Sequence, residues 1–220
     1  NLDDGQPIQN SIRLLESFAV LAIEVRASFG IEGASAQFGD RSIVVINPGI
    51  ANERIRFNAM KELAINLLSN ASQELSTEIE KKAESFATAL LLPDSQLREA
   101  FSTKSFLRLI EFKERFGISI SVMINRADEL GVIKTTTLRW LRSEILKRGW
   151  KKREPGYVWI DRAINFEVML ESAIESKQLT WDLAEKITSV PMHELKARIL
   201  GALEFDSAEK SEEVISFKIS

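Results

Sequence analysis

The chain has 220 residues, 45% of them hydrophobic, with a formal net charge of −3 and no cysteine. This length and composition are typical of a globular protein with one substantial core or a few small subdomains. The lack of cysteine excludes a disulfide framework. No apolar run approaches the roughly 20 residues that a membrane-spanning helix needs, so we expect a cytoplasmic protein that does not enter a membrane.

The first fifty residues predict a short helix followed by a small sheet. Residues 8–17 have apolar side chains at helical spacing, and the apolar run 20–25 indicates a buried strand. Residues 34–38 and 42–46 flank a Gly-Asp pair that favours a tight turn, and they predict a β-hairpin. An Asn-Pro-Gly breaker at 47–49 then ends the last strand.

Two amphipathic helices follow the breaker, and each has one apolar face that we expect in the core. The residues of the first face are Phe57, Leu63, Leu67 and Leu68, and those of the second are Ala83, Phe86, Ala87, Leu90 and Leu91.

These two helices also contain distinctive motifs. The first has Arg54-Ile-Arg56-Phe57 and then Lys61-Glu62-Leu63-Ala64-Ile65; the second runs from Glu80-Lys-Lys-Ala83-Glu84-Ser-Phe86-Ala87 to Leu90-Leu91-Leu92-Pro93. This stretch resembles the core of the ImmA/IrrE family of metallopeptidases, in which Arg-x-Arg-Phe leads into a helix bearing His-Glu-Leu-Gly-His. The resemblance implies an α+β fold, with a minimal zincin-like core (a small sheet plus two packed helices) followed by mostly helical subdomains.

The resemblance places Lys61 and Ile65 at the two histidine positions, Glu80 at the third zinc-ligand position and Glu62 at the general-base position. A catalytic zinc takes three protein ligands, whereas a lysine ammonium has no acceptor and isoleucine has no lone pair. We therefore expect no bound metal and no other cofactor, with Glu62 retained but inactive. If this expectation is wrong, the cofactor is zinc.

Two smaller hypotheses concern the remaining charged groups. The Lys61 ammonium could replace the lost cation by pairing with Glu80 and Glu62, or it could extend to solvent from an open cleft. The chain's single histidine, His193, precedes a glutamate, but Ala197 stands where a second histidine would be needed. We expect His193 to lie on the polar side of a first helical turn rather than to bind metal.

Residues 104–153 differ from the rest of the chain in charge. They hold thirteen Lys or Arg and five acidic residues, a local net charge of +8, which favours a polyanionic or acidic partner. A helix ending at Gly117, a second helix opened by Ser119 and a third near 135–148 are compatible with a helix-turn-helix unit. This segment also resembles the one that follows the peptidase core in the same family. The candidate nucleic-acid contacts are Arg126, Lys134, Arg139, Arg142, Lys147, Lys151, Lys152 and Arg153.

The alternative for this segment is a helical subdomain that packs on the core and leaves a solvated basic face. Asp128 and Glu129 favour that alternative, because they would face the phosphates of a nucleic acid. Few residues of the second helix beyond Ser121, Asn125 and Arg126 could contact base edges.

The last part of the chain predicts three more helices, at 163–175, 180–188 and 191–200. Residues 157–160 suggest a short strand, and the alternation at 215–219 suggests a terminal one. The predicted division is a zincin-like core at 1–100, a basic helix-turn-helix-like subdomain at 101–155, and a C-terminal helical tail at 156–220.

Two classes of function are compatible with these residues. The first is a non-catalytic protein with a regulatory or binding role, because the resemblance implies relatives that cut repressor proteins in stress or phage-type transcriptional control. Its partners would be a repressor-type protein, DNA, or a second copy of the chain in a homodimer. The second is a zinc-dependent endopeptidase that cleaves a repressor. This second function requires metal ligands that Lys61 and Ile65 do not supply.

Overall fold

The computed structural model describes residues 5–26, 33–39, 41–68 and 76–219. Within these ranges the chain forms three strands and ten helices, so the predicted α+β class is confirmed. None of the described helices is both long enough and apolar enough to cross a membrane.

The sheet consists of β1 (Val20–Glu24), β2 (Gly33–Phe38) and β3 (Arg41–Ile46), in the order β1-β3-β2. β1 runs parallel to β3, and β2 pairs antiparallel with β3. The predicted strand and hairpin are therefore confirmed, although the turn residue Asp40 lies outside the described residues. β1 and β3 bury alternate residues, whereas Ala34–Phe38 of β2 are exposed, so β2 is an exposed edge strand.

Three helices complete the N-terminal layer. Helix α1 (Ser11–Ser17) begins where the Asn10 side chain accepts hydrogen bonds from two first-turn N–H groups. Helix α2 (Asn52–Leu68) packs against the sheet and against α3 (Thr77–Leu91), and Ser76 caps the start of α3. This arrangement of a small sheet and two packed helices is consistent with the predicted zincin-like core.

The core contacts of α2 include Ile55, Met60 and Leu63 and end at Ile65. Leu67, Leu68 and Phe86, which we predicted to be buried, are exposed. Leu67 lies on the same face as Leu63, but the last turn of α2 extends past the core. Phe86 lies beside the buried line of α3 formed by Ala83, Ala87 and Leu91.

Four helices follow: α4 (Asp94–Ala100), α5 (Phe106–Phe116), α6 (Ile120–Glu129) and α7 (Thr135–Lys147). The predicted caps are confirmed. Gly117 ends α5 in the left-handed conformation, with φ 64°, and the Ser119 hydroxyl accepts a hydrogen bond from Val122 N at 3.1 Å. The buried residues of α5–α7 belong to the same core cluster as those of α1, α2 and the sheet, so this basic segment packs directly on the N-terminal layer.

The chain ends with α8 (Asn165–Glu175), α9 (Trp181–Thr188) and α10 (Met192–Ile219), around a second, smaller apolar cluster. Two predicted strands are wrong. Residues 157–160 form no strand because side-chain contacts hold them instead: Asn52 donates to the Val158 carbonyl, and the Trp159 indole donates to the Gln9 carbonyl. Residues 215–219 continue α10, whose preceding residues are rich in Ala, Glu and Lys, which favour helix.

Candidate functional site

The residues at the two lost histidine positions lie on α2, facing different surroundings. Ile65 is 5% exposed and packs with Ala64 and Ala83 in a small apolar cluster that joins α2 to α3. Lys61 is half-buried, one turn earlier on the same helix. A hydrocarbon contact between the helices therefore occupies the second ligand position.

Glu62, at the general-base position, is 7% exposed, and its Oε2 is buried without a hydrogen-bond partner among the described residues. Its backbone carbonyl accepts a hydrogen bond from the Asn66 side chain at 2.9 Å. A buried carboxylate oxygen usually has a donor or a cation beside it. The Oε2 atom of the retained carboxylate is thus shielded from solvent, and its described surroundings supply neither a donor nor a cation.

The hypothesis that Lys61 pairs with Glu80 or Glu62 is not supported. All three residues are described, and no ion pair within 4.0 Å joins Lys61 to either carboxylate. Glu80 is exposed in the first turn of α3, where the positive end of the helix dipole favours a carboxylate without any lysine. The half-buried Lys61, with no ion pair to Glu62 or Glu80, agrees better with the alternative hypothesis that its side chain extends to solvent.

Zinc does not fit these residues. Three ligands are required, but Lys61 and Ile65 cannot serve, and the described part of the chain has no group of three His, Cys, Asp or Glu that could hold a metal. His193 does not fill the gap, because it lies exposed in the first turn of α10.

A buried ion pair joins Arg56, which precedes the site on α2, to Asp161 in the segment between α7 and α8. The Arg56 side chain is fully buried; Nη1 contacts Asp161 Oδ2 at 2.6 Å, and Nη2 donates to the Ile8 carbonyl at 2.5 Å. The Arg56 guanidinium also lies 4.4 Å from the Trp159 ring centre. Burial raises the pKa of Asp161, and the adjacent guanidinium opposes that shift.

This pair joins distant parts of the chain. Asp161 Oδ2 also accepts from the backbone and hydroxyl of Ser11, at 2.6 and 2.5 Å, so α1, α2 and the segment after α7 meet at one carboxylate. Sequence reasoning missed Asp161. The only signal was Arg56 itself, because an arginine on the apolar side of a helix needs a buried partner.

A second buried network controls the start of α6. The Glu154 carboxylate accepts from Ile120 N at 2.7 Å and from Ser121 N at 2.9 Å and its hydroxyl at 2.7 Å. Lys113, 1% exposed, lies between this carboxylate and Glu53. The first turn of α6 is therefore covered from within the protein, and Ser121 is already engaged.

The structure separates the eight predicted nucleic-acid contacts into two groups. Arg126 is mostly buried and lies near Asp94 and Glu129, and Lys147 pairs with Glu144. Arg142 is exposed but donates to Asn125. Five of the predicted contacts are exposed and have no hydrogen-bond or ion-pair partner in the described part of the chain: Lys134, Arg139, Lys151, Lys152 and Arg153. The basic face is therefore built by α7 and the loop after it rather than by α6.

Sequence reasoning also missed a polar cleft of about 600 Å³ between the N-terminal layer and α10. Glu167 lines this cleft, and burial raises its pKa. Nearby, burial raises the pKa of Glu16 to about 7 although Arg13 opposes the shift. Glu16 Oε2 accepts from Asn165 at 2.7 Å, but its Oε1 is buried without a hydrogen-bond partner among the described residues. Two poorly solvated carboxyl groups therefore lie where α8 meets α1 and β1.

A small mixed sheet with α2 packed on it and α3 packed on α2 carries the motif residues on those two helices. This arrangement defines the class: it is a zincin-like, metallopeptidase-type core. A family model described as the IrrE N-terminal-like domain matches residues 20–128. The chain thus belongs to the ImmA/IrrE family through this domain, which extends from β1 into α6. No curated protein matches the sequence.

Proposed function

We propose that this ImmA/IrrE-family protein is non-catalytic and acts by binding a partner. One observation carries the proposal: Ile65, at the second ligand position, is packed against Ala64 and Ala83. Catalysis of this type needs a metal to acidify the attacking water, and an isoleucine methyl group cannot hold one. The contact also stabilises the α2–α3 pair, so the fold does not depend on a metal.

The edge strand β2 supports a binding role. Among the described residues β2 pairs only with β3, and Ala34–Phe38 are exposed, with Phe38 78% exposed. An exposed edge offers unpaired backbone groups to which an extended segment of another protein can add as a further strand. This mode of binding needs no metal. The partner we propose is an extended segment of a repressor-type protein, in a regulatory role.

Metal content tests the proposal directly. The purified protein is equilibrated with excess zinc, desalted and measured by elemental analysis, beside the double variant Lys61→His/Ile65→His. We expect near-zero zinc in the natural chain and a gain in the variant, because histidines at i and i+4 share one helix face. One zinc per natural chain, with casein hydrolysis that Glu62→Gln abolishes, would overturn the proposal in favour of a zinc-dependent endopeptidase.

A regulatory role in transcription is also compatible with DNA as the partner. The exposed cations of α7 and of residues 151–153 support it, because phosphate contacts of this kind need only accessible lysines and arginines. A mobility-shift titration with duplex DNA at several salt concentrations tests it. Failure to bind even at low salt would leave a protein partner, with the basic face a solvated surface.

A further inference from the structure

A groove of about 300 Å³ lies at the N-terminal end of α7, between the loop that precedes α5 and the loop that precedes α7. Its walls include three aromatic rings, those of Phe101, Phe106 and Trp140. Trp140 is 43% exposed and lies 5.4 Å from Phe106, ring centre to ring centre. The groove therefore has a supported aromatic wall with a large accessible surface.

The charge of the groove has one sign. The two charged residues that line it are Lys104 and Lys134, and no acidic residue is among the described lining residues. Both lysines are exposed, and neither has an ion pair in the described part of the chain. Lys134 is also the N-cap residue of α7, where its ammonium and the positive end of the helix dipole both contribute positive potential. Such a groove complements an anion, in a protein whose net charge is −3.

A further cation lies beside the aromatic wall of the groove. The exposed Arg148 guanidinium is 5.0 Å from the Phe106 ring centre and 5.4 Å from that of Trp150, and it also pairs with Glu144 at 3.3 Å. A ligand that extends from the groove past Phe106 therefore meets Arg148, which a single small anion between the two lysines would not use.

We propose that this groove binds one nucleotide of a single-stranded nucleic acid, with the base against Trp140 and the phosphates near Lys104 and Lys134. Every base has a flat π surface that stacks on an exposed aromatic ring, and lysines bind phosphates as point charges. A duplex would present its bases stacked inside and unable to reach Trp140. The inference goes beyond the proposed partner-binding function and does not rest on the zincin-like site.

The test uses the full chain and a short fluorescein-labelled oligothymidylate, with binding followed by fluorescence anisotropy. We expect Trp140→Leu to weaken binding roughly tenfold. The double variant Lys104→Ala/Lys134→Ala should lower the slope of log affinity against log salt by about 1.4, because each phosphate contact contributes about 0.7 for single strands. Trp181→Leu and Lys81→Ala/Lys186→Ala, which change residues outside the groove, should leave binding unchanged.

Three comparison ligands test the proposal further: thymidine monophosphate, duplex DNA and an acidic peptide. Thymidine monophosphate should compete only weakly, because a single nucleotide in the groove does not reach Arg148 beyond Phe106. Duplex DNA that binds at least as tightly as the single strand, with no effect of Trp140→Leu, would overturn the proposal. Failure of oligothymidylate to bind at low salt would overturn the proposal too. So would a loss of acidic-peptide binding in Trp140→Leu with no loss of oligothymidylate binding. Urea unfolding of each variant verifies that the altered chains are folded.

Discussion

Replacing Gly117 with alanine tests the packing around the buried Arg56. Gly117 follows α5 with φ +64°, and an added Cβ would overlap Arg56 Nε and lie 2.8 Å from its Cδ. Arg56 has little freedom to move away, because it is fully buried and held by Asp161 and the Ile8 carbonyl. The substitution must therefore displace either the turn or the arginine.

Two effects set the magnitude. A left-handed conformation costs an alanine about 1 kcal/mol relative to glycine. Moving Arg56 away from Asp161 leaves a buried carboxylate uncompensated, and removing one partner of a buried pair costs about 3–5 kcal/mol. Because the turn can relax in part, we expect Gly117→Ala to lower the free energy of unfolding by about 3–5 kcal/mol in total.

The chain supplies matched controls for this prediction. Gly131 and Gly149 also follow helices, with φ +63° and +70°, but a Cβ added at either meets nothing within 4 Å. Gly131→Ala and Gly149→Ala should therefore cost only the conformational part, about 1 kcal/mol each. Urea unfolding followed by circular dichroism measures all three. Equal losses of unfolding free energy at the three positions would refute the reasoning, because they would show that Arg56 can move aside without destabilising the protein.

Two further predictions concern buried charge. The pKa of Glu16, raised by burial from 4.5 to about 7, lies above its unfolded value, so the stability of the natural chain should fall as pH rises from 4.5 to 7. Glu16→Gln should remove the part of this slope that Glu16 contributes, because burial also raises the pKa of Glu167 and Asp161. Discounted for partial exposure, it should stabilise the protein by about 1–2 kcal/mol at pH 8. Urea unfolding at pH 4.5, 7 and 8 checks this, and the exposed Glu185→Gln is a control that should leave the slope unchanged. Lys113→Met should lower the free energy of unfolding by about 3–5 kcal/mol, because it leaves Glu53 and Glu154 without their cation. The double variant Lys113→Met/Glu53→Gln should recover part of that loss in urea unfolding. No recovery would contradict this account.

The local features of this protein followed from its sequence. The hairpin, the end of α5 at Gly117 and the start of α6 at Ser119 agree with the structure. Each depends on residues within a few positions of one another: a tight turn, a left-handed glycine, or a hydroxyl that accepts from an N–H three residues ahead. The α+β class follows from the same local patterns taken in chain order.

Segments whose structure depends on distant partners were predicted less well. Residues 157–160 have strand-like composition, but no strand among the described residues pairs with them, and contacts from Asn52 and to Gln9 hold them instead. Leu67 has the spacing of a core residue, yet on its face of α2 the last buried residue is Leu63, one turn earlier. Apolar periodicity shows which face of an element is suited to burial, but not whether another element covers that face.

At the candidate site, too, some features follow from the sequence and others only from the tertiary structure. The sequence alone determined that Lys61 and Ile65 cannot ligate zinc, because ligand chemistry belongs to the side chain itself. Only the tertiary structure decided that Ile65 packs on Ala83, that Lys61 pairs with neither Glu62 nor Glu80, and that Arg56 meets Asp161. Arg56 and Asp161 are 105 positions apart in the chain. Their contact forms only when the two segments pack together, and the residue spacing within either segment does not predict it.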